Sequence, residues 1–301
     1  MRIGIVLNEP SGPDALHRLR DELRRAADDG FASAWVTQIF GVDALTALAV
    51  AGSQVPGIEV GTSVVPTYPR HPAVLAQQAL TAALALDGRL TLGIGLSHQV
   101  VIEAMYGLDY SRPLKHMSEY LSVLLPLLDG EPAQFTGETL AGNITLSTPR
   151  AGRVPVVVAA LGPRMLKLAG SRTDGTVTWM TGPVTLRDHI VPTITAAAQE
   201  AGRPAPRVVA ILPVCVTDDV DAARQRAAKV YQVYGTLPSY RAMLDREGVA
   251  APEDVAIIGD EDTVGARIRA LADYGVTDFV AGDFSKGKDS ERTRALLTSL
   301  L

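Results

Sequence analysis

The chain has 301 residues, of which 47% are hydrophobic and 20% charged, which is the composition of a globular protein with a large core. A net charge of -5 excludes the basic surface with which proteins bind nucleic acids. The single cysteine, Cys215, excludes an internal disulfide and a multi-cysteine metal site. Because we find neither a signal-peptide pattern nor an apolar run of membrane-spanning length, we expect a cytoplasmic protein that does not bind membranes.

Eight β-rich runs alternate with helical patterns from one end of the chain to the other. The helical segments repeat apolar residues at helical spacing, as Leu16, Leu19 and Leu23 do in the first of them. Most β-rich runs are almost continuously apolar, which is typical of buried parallel strands. The pattern predicts a single-domain (β/α)8 TIM barrel over residues 1–301. The eight predicted strands are Arg2–Leu7, Ser33–Thr37, Ile58–Val65, Leu90–Gly95, Val154–Ala160, Gly175–Met180, Arg207–Val216 and Asp278–Asp283.

Two segments interrupt this alternation. Residues 131–152 contain GETLAGNITLS, which predicts a small hairpin, and residues 235–256 contain LPSYRAMLDREG, which predicts a helical excursion. In a barrel enzyme such short insertions often cover or shape the carboxyl-end face, where the active site lies.

The run LTLGIGLSHQ ends the fourth predicted strand with Gly93 and Gly95. A dinucleotide-binding fingerprint needs a third glycine, but His98 occupies that position. In a barrel, the two glycines would sit at the carboxyl end of a strand. They could let the backbone approach a flat ligand, or they could relieve crowding between strands, and the residues leave both roles open.

The turn ALGPRM joins the fifth predicted strand to a helix. Pro163 suits the first helical position, where its missing N–H costs nothing. The free N–H groups that follow it and the helix dipole favour an anion, and Arg164 could add a charge-assisted hydrogen bond to a phosphate. The alternative is an ordinary turn between a strand and a helix.

Among the five histidines, His98 is the one predicted at the carboxyl end of a strand. We expect His17 and His189 to be solvated on helices, His116 to lie at the core edge or be exposed, and His71 to be a surface or helix-capping residue. No two histidines show metal-ligand spacing on one element, so we expect no metal site. The sequence leaves the roles of two further features undecided. Trp35 and Trp179 could stack on a cofactor or pack in the core. Thr62 and Ser63 interrupt a strand, which indicates a bulge or an unusual peptide.

Five segments, taken together and in their order along the chain, resemble those of a known protein family. They are AWVTQIF, VGTSVVPTYPRHPAVLAQQ, DGRLTLGIGLSH, VPVVVAALGPRMLKLAG and TDGTVTWMTGP. The chain resembles the bacterial-luciferase-like oxidoreductases, and within them the branch that uses the deazaflavin coenzyme F420 and includes methylenetetrahydromethanopterin reductase.

The resemblance implies a set of site residues. Leu96 and Ser97 would contact the side chain of the coenzyme, and the coenzyme phosphate would bind at the turn with Leu161, Gly162, Arg164 and Met165. The third strand in the family often carries a non-prolyl cis peptide bond behind the deazaflavin ring, which here would join Ser63 to Val64. Gln38 is also expected to contact the cofactor.

The resemblance also implies a reaction. Gln38 and Ile39 stand where alcohol-oxidising relatives often carry an acidic residue and a histidine, and His98 matches an acting glutamate of the sugar-phosphate enzymes. We therefore expect a reductase that transfers hydride from reduced F420 to a C=C or C=N bond of a small organic substrate. His98, a tyrosine or water would supply the proton. The alternative for His98 is that it only hydrogen-bonds the coenzyme or closes the loop. The alternatives are an FMN-dependent monooxygenase of the same superfamily and a non-enzymatic barrel that binds a coenzyme or a partner. Family dimers pack through early helices, so we expect a homodimer.

Overall fold

A computed structural model describes residues 1–7 and 12–301. All eight predicted β-rich runs contain a strand. Four short strands accompany them, two of which form the hairpin described below. The strands are β1 (Arg2–Leu7), β2 (Ser33–Val36), β3 (Glu59–Thr62), β4 (Val65–Pro66), β5 (Leu90–Gly95), β6 (Ala133–Thr136), β7 (Ala141–Ile144), β8 (Val156–Val158), β9 (Gly175–Trp179), β10 (Arg207–Val216), β11 (Ile257–Gly259) and β12 (Asp278–Asp283).

Helices separate the strands. They are α1 (Ala15–Asp28), α2 (Ala44–Gly52), α3 (Pro72–Ala85), α4 (Pro113–Leu128), α5 (Pro163–Arg172), α6 (Pro183–Thr185), α7 (Val191–Glu200), α8 (Val220–Tyr231), α9 (Pro238–Glu247), α10 (Glu261–Asp273) and α11 (Lys288–Ser299). Two π-helical turns, Val101–Met105 and Leu186–Ile190, and two 3-10 turns, Gln232–Gly235 and Pro252–Val255, complete the set. Within residues 1–7 and 12–301, no helix has the length and apolarity that crossing a membrane requires.

The sheet closes on itself and confirms the predicted (β/α)8 TIM barrel. Eight strands follow one another in the order β1, β2, β3, β5, β8, β9, β10 and β12. β12 pairs in parallel with β1, and β10 pairs in parallel with both β9 and β12. The short β4 pairs in parallel with β5, and β11 pairs in parallel with β10.

The described residues form two compact units. The first unit contains Met1–Leu7, Ala26–Trp35 and Ala160–Leu301, and the second contains residues 12–25 and Val36–Ala159. Each has its own buried apolar residues, such as Val209 and Phe279 in the first and Leu75 and Leu121 in the second. The single domain expected from the sequence stays a prediction.

Both expected interruptions are present. The first is the antiparallel hairpin β6–β7, which packs on α3 and α4. The Glu119 carboxylate on α4 accepts hydrogen bonds from the backbone N–H groups of Glu138, Thr139 and Leu140 at 2.7 to 3.0 Å. The second is α9, and the strand β11 that follows it pairs in parallel with the carboxyl end of β10.

Candidate functional site

Gly93 and Gly95 make room for the neighbouring strand. A Cβ atom on Gly93 would lie 1.9 Å from the carbonyl oxygen of Thr62, and one on Gly95 would lie 2.6 Å from Cγ2 of Val64. The Thr62 hydroxyl also accepts the Gly93 N–H at 2.9 Å and donates to the Gly93 carbonyl at 2.8 Å. Of the two roles that the sequence left open, relief of crowding is therefore present at both glycines.

The peptide bond between Ser63 and Val64 is cis, as the resemblance implied. It separates β3 from β4, and both side chains are half-buried. The Ser63 hydroxyl oxygen is buried and makes no hydrogen bond to the described residues. The chain therefore bulges between β3 and β4 beside the glycines of β5.

The loop after β5 contains three of the predicted site residues, Leu96, Ser97 and His98, all half-buried. Ser97 has a left-handed backbone with φ of 60°, and its carbonyl accepts the phenol of Tyr110 at 3.4 Å. The His98 carbonyl accepts the N–H of Ile102 at 2.9 Å, which starts the π-helical turn. Burial lowers the pKa of the His98 imidazole below its ordinary value, so the neutral form predominates at pH 7.

Gln38 lies after β2 and is half-buried. Its side-chain oxygen accepts the N–H of Ala44 at 2.7 Å, at the start of α2. This bond fixes the orientation of the Gln38 amide. The next two residues, Ile39 and Phe40, are exposed to 51% and 63%. The second unit therefore holds Gln38, the cis peptide bond and the loop with His98.

The first unit contains the predicted phosphate turn. Gly162 is the N-cap of α5 and Pro163 is its first residue, as the sequence predicted. No atom lies within 4 Å of the position that a Gly162 Cβ would take. Gly162 and Arg164 are exposed, while Leu161 and Met165 are half-buried. The amino end of this helix is therefore open to an anion, although phosphate binding itself stays a prediction.

His189 fixes this turn, and the expectation that it is solvated is wrong. The residue is 8% exposed, and its Nε2 atom lies 2.8 Å from the Leu161 carbonyl oxygen. Because a carbonyl only accepts, Nε2 carries the proton. The hydroxyl of Thr176 donates to the preceding carbonyl, that of Ala160, at 3.4 Å. Sequence reasoning missed His189 because spacing alone does not show that it lies in the π-helical turn Leu186–Ile190.

His116 also differs from expectation, since it is buried with 9% exposure. Its ring stacks on Tyr68 with the centroids 3.9 Å apart, and its Nε2 atom lies 3.0 Å from the Thr67 hydroxyl. Burial lowers the pKa of His116 to about 4, so the ring is neutral at pH 7. As expected, His71 caps α3 and His17 is exposed. Among the described residues, no three histidine, cysteine, aspartate or glutamate side chains lie together in a way that could hold a metal ion.

The two tryptophans have different surroundings. Trp35 is fully buried and donates to the Ser33 hydroxyl at 2.9 Å, so it belongs to the core. Trp179 is half-buried at the end of β9 and lies among tyrosines that the sequence did not group with it. These come from the end of α8 and the 3-10 turn after it, and no spacing rule connects that segment with the end of β9.

Comparisons with known proteins find relatives that match most of the chain. The 5,10-methylenetetrahydromethanopterin reductase of Methanolobus tindarius is 28% identical, and the match covers 89% of this chain and 91% of the relative. The structure of coenzyme F420 dependent tetrahydromethanopterin reductase from Methanopyrus kandleri superposes with a TM-score of 0.84 at 23% identity, covering 100% of this chain and 98% of that one.

A flavin protein shares the fold as well. The oxygenating constituent of 3,6-diketocamphane monooxygenase of Pseudomonas putida, in complex with FMN, superposes with a TM-score of 0.76 at 18% identity, covering 99% of this chain and 96% of that one. The model of the luciferase-like monooxygenase family matches residues 1–278. The resemblance found in the sequence is confirmed, and the chain belongs to the luciferase-like monooxygenase family.

Proposed function

We propose that the protein is a coenzyme F420-dependent reductase that delivers hydride to a C=C or C=N bond of a small organic substrate. The observation that carries this proposal is the turn Leu161–Met165, which is open to an anion and held by His189. The coenzyme has a phosphate that suits such a helix terminus. The methylenetetrahydromethanopterin reductase matched over 89% of this chain supports F420 as the coenzyme.

The residues present fit this coenzyme. The backbone N–H groups that begin α5, with Arg164, would bind the phosphate, flanked by Leu161 and Met165. Leu96 and Ser97 would contact the coenzyme side chain, and the Ser63–Val64 peptide with Gln38 would border the ring. The bound coenzyme supplies the hydride, and the protein positions the reacting groups.

His98 is the residue we propose as the source of the substrate proton. It follows the carboxyl end of β5, where barrel enzymes place reacting groups. Because burial lowers its pKa, proton donation by His98 would weaken as the pH rises above the lowered value. Gln38 and Ile39 provide no acid and no imidazole after β2, which favours reduction over alcohol oxidation.

The alternative is an FMN-dependent monooxygenase, which the description of the family and the FMN-bound neighbour favour. A third possibility is a barrel that binds a coenzyme without turnover. Stopped-flow mixing of the protein and reduced F420 with a panel of unsaturated ketones and cyclic imines separates these functions. Saturable oxidation of the coenzyme under nitrogen supports the reductase. The same mixing with reduced FMN in the presence of dioxygen tests the monooxygenase, which formation of an oxygenated product supports. No turnover with either coenzyme supports the binding barrel.

We also propose that the protein forms a homodimer through α2 and α3. Three large apolar residues on these helices are exposed, Val50 to 43%, Val74 to 57% and Leu84 to 37%. Burying such side chains in an interface is favourable. Light scattering at micromolar protein concentration should give the mass of a dimer, and the mass of a monomer would contradict this.

A further inference from the structure

Five aromatic rings in the first unit form an aromatic cluster, which consists of Trp179, Tyr231, Tyr234, Tyr240 and Phe284. The chain has 2 tryptophans, 8 tyrosines and 5 phenylalanines, so a large share of its rings meets in one place. The centroid of Trp179 lies 5.6 Å from that of Tyr231 and 5.9 Å from that of Tyr234. Tyr240 stands 5.0 Å from Tyr234, nearly perpendicular to it.

The aromatic cluster lies where a barrel enzyme binds its substrate. Trp179 is the last residue of β9 and Phe284 follows β12, so both stand at carboxyl ends of barrel strands. Tyr231 ends α8, Tyr234 lies in the 3-10 turn after it, and Tyr240 lies in α9. The Glu247 carboxylate on α9 accepts the N–H groups of Val184 at 3.1 Å and Thr185 at 2.8 Å, which ties the excursion to the segment after β9.

These rings are not packed as a core. The core rings Trp35, Tyr120 and Phe279 are each 0% exposed. In the aromatic cluster Tyr231 is buried, whereas Trp179, Tyr234, Tyr240 and Phe284 are half-buried. Large rings that are held in place but partly open to solvent offer stacking surface to a flat ligand.

The aromatic cluster also carries hydrogen-bond donors, and these lie on Trp179, Tyr234 and Tyr240, whereas the Arg226 guanidinium lies 5.5 Å over the Phe284 ring. The Trp179 indole N–H is buried and lies near the Tyr234 phenol, but it makes no hydrogen bond of full geometry to a described residue. An indole only donates, so a ligand that satisfies it must present an acceptor. Burial raises the pKa of the Tyr234 phenol, although the nearby indole N–H lowers it, and burial raises that of Tyr240. The phenols therefore stay protonated at neutral pH, and an ionic ligand would lose hydration here.

We propose that the aromatic cluster binds a neutral, planar, conjugated carbonyl compound as the substrate of the reductase, an assignment that rests on the proposed function. The carbonyl oxygen would accept from the Trp179 indole or the Tyr234 phenol. The coenzyme, when bound, would supply the hydride for a new C–H bond at the β-carbon, and the C=C electron pair would move through the conjugated system onto the oxygen. The donors would stabilise this enolate, and a proton from the acid of the proposed function or from water would then bond to the α-carbon to give the saturated ketone.

Calorimetric titration with benzalacetone, a planar conjugated enone, tests the proposal. The titration is run on the protein alone and on the protein saturated with oxidised F420. In at least one of these states, we expect saturable binding that weakens at least tenfold in Tyr240→Leu and in Trp179→Phe. Tyr274→Leu is the matched control, because Tyr274 is a half-buried tyrosine of the first unit that lies beside Arg187 and outside the aromatic cluster. It should bind benzalacetone as the native protein does.

Absence of saturable benzalacetone binding in both states would overturn the proposal, as would unchanged affinity in both cluster variants of native thermal stability. Displacement of the enone by tetramethylammonium at similar concentration would overturn the assignment to a neutral ligand. A separate F420 titration keeps the two proposals apart. If the enone binds and F420 does not, the proposed function fails and the binding site stands. If F420 binds and the enone does not, the substrate assignment fails alone.

Discussion

The Nε2 atom of His189 lies 2.8 Å from the carbonyl oxygen of Leu161, one residue before the N-cap of α5. This hydrogen bond joins the π-helical turn Leu186–Ile190 to the turn that we propose for the coenzyme phosphate. The peptide plane of the Leu161 carbonyl cannot rotate without breaking this hydrogen bond, so the backbone N–H groups at the start of α5 keep their direction. His189 is therefore a positioning residue for the phosphate turn.

Replacing His189 tests this role. His189→Leu removes the donor, and a net hydrogen bond of about 1 kcal/mol corresponds to a roughly fivefold loss of F420 affinity. His189→Gln retains a donor and should restore most of the affinity, as measured by fluorescence titration. Equal affinity for F420 in the native, Leu and Gln proteins would show that the turn does not need this bond.

Gly162→Asp places a carboxylate at the open N-cap of α5. Aspartate is a better N-cap than glycine by a few tenths of a kcal/mol, so the fold should be retained. The same carboxylate repels a phosphate and occupies its donors, so F420 affinity should fall at least tenfold, about 1.4 kcal/mol. Gly162→Ala is the control, because a Cβ meets nothing there and adds no charge. Unchanged affinity in Gly162→Asp would mean that the phosphate binds elsewhere.

His98→Gln separates proton donation from binding. If His98 is the acid, kcat should fall roughly 100-fold to 10,000-fold while the F420 dissociation constant holds. Burial lowers the His98 pKa below its ordinary value of about 6.5. The native kcat should therefore decline as the pH rises through that lowered pKa, and His98→Gln should show no such decline. His17→Gln, at an exposed site on α1, should behave as native. Full kcat in His98→Gln from pH 5 to 9 would assign the proton to a tyrosine or to water.

The Glu119 carboxylate should contribute to stability at neutral pH. Burial raises its pKa, but the hydrogen bonds from Thr139, Glu138 and Leu140 outweigh burial and set it to about 2. A carboxyl group with a depressed pKa in the folded state stabilises above its unfolded pKa of about 4.3, and this contribution is lost as the pH falls toward the folded value.

Glu119→Gln should therefore reduce the free energy of unfolding at pH 7 by about 2 kcal/mol, the scale of hydrogen bonds to a charged group. The difference from the native protein should shrink between pH 4 and pH 2, as followed by urea denaturation. Glu131→Gln, an exposed change beyond α4, is the control. A loss of stability that is the same at pH 7 and pH 2 would contradict a role for the charge.

The barrel could be predicted because its strands are local apolar runs, as at Arg207–Val216, and its helix starts carry local signals, as at Pro163. His189 and Trp179 could not be placed in the same way. The partner of His189 is 28 residues away, and the tyrosines beside Trp179 come from the end of α8 and the 3-10 turn after it. Such contacts form between residues that are distant in sequence and meet only in the folded chain, so periodicity along the sequence does not predict them.

The choice between deazaflavin and flavin is the central claim, and paired equilibrium titrations test it most directly. The native protein is titrated with oxidised F420 and, separately, with FMN, and binding is followed by quenching of coenzyme fluorescence. The account predicts saturable binding of F420 at least tenfold tighter than that of FMN, a difference of about 1.4 kcal/mol. Gly162→Asp should weaken the F420 curve, and Gly162→Ala should not. Tighter binding of FMN than of F420 would contradict the proposed function and favour the monooxygenase.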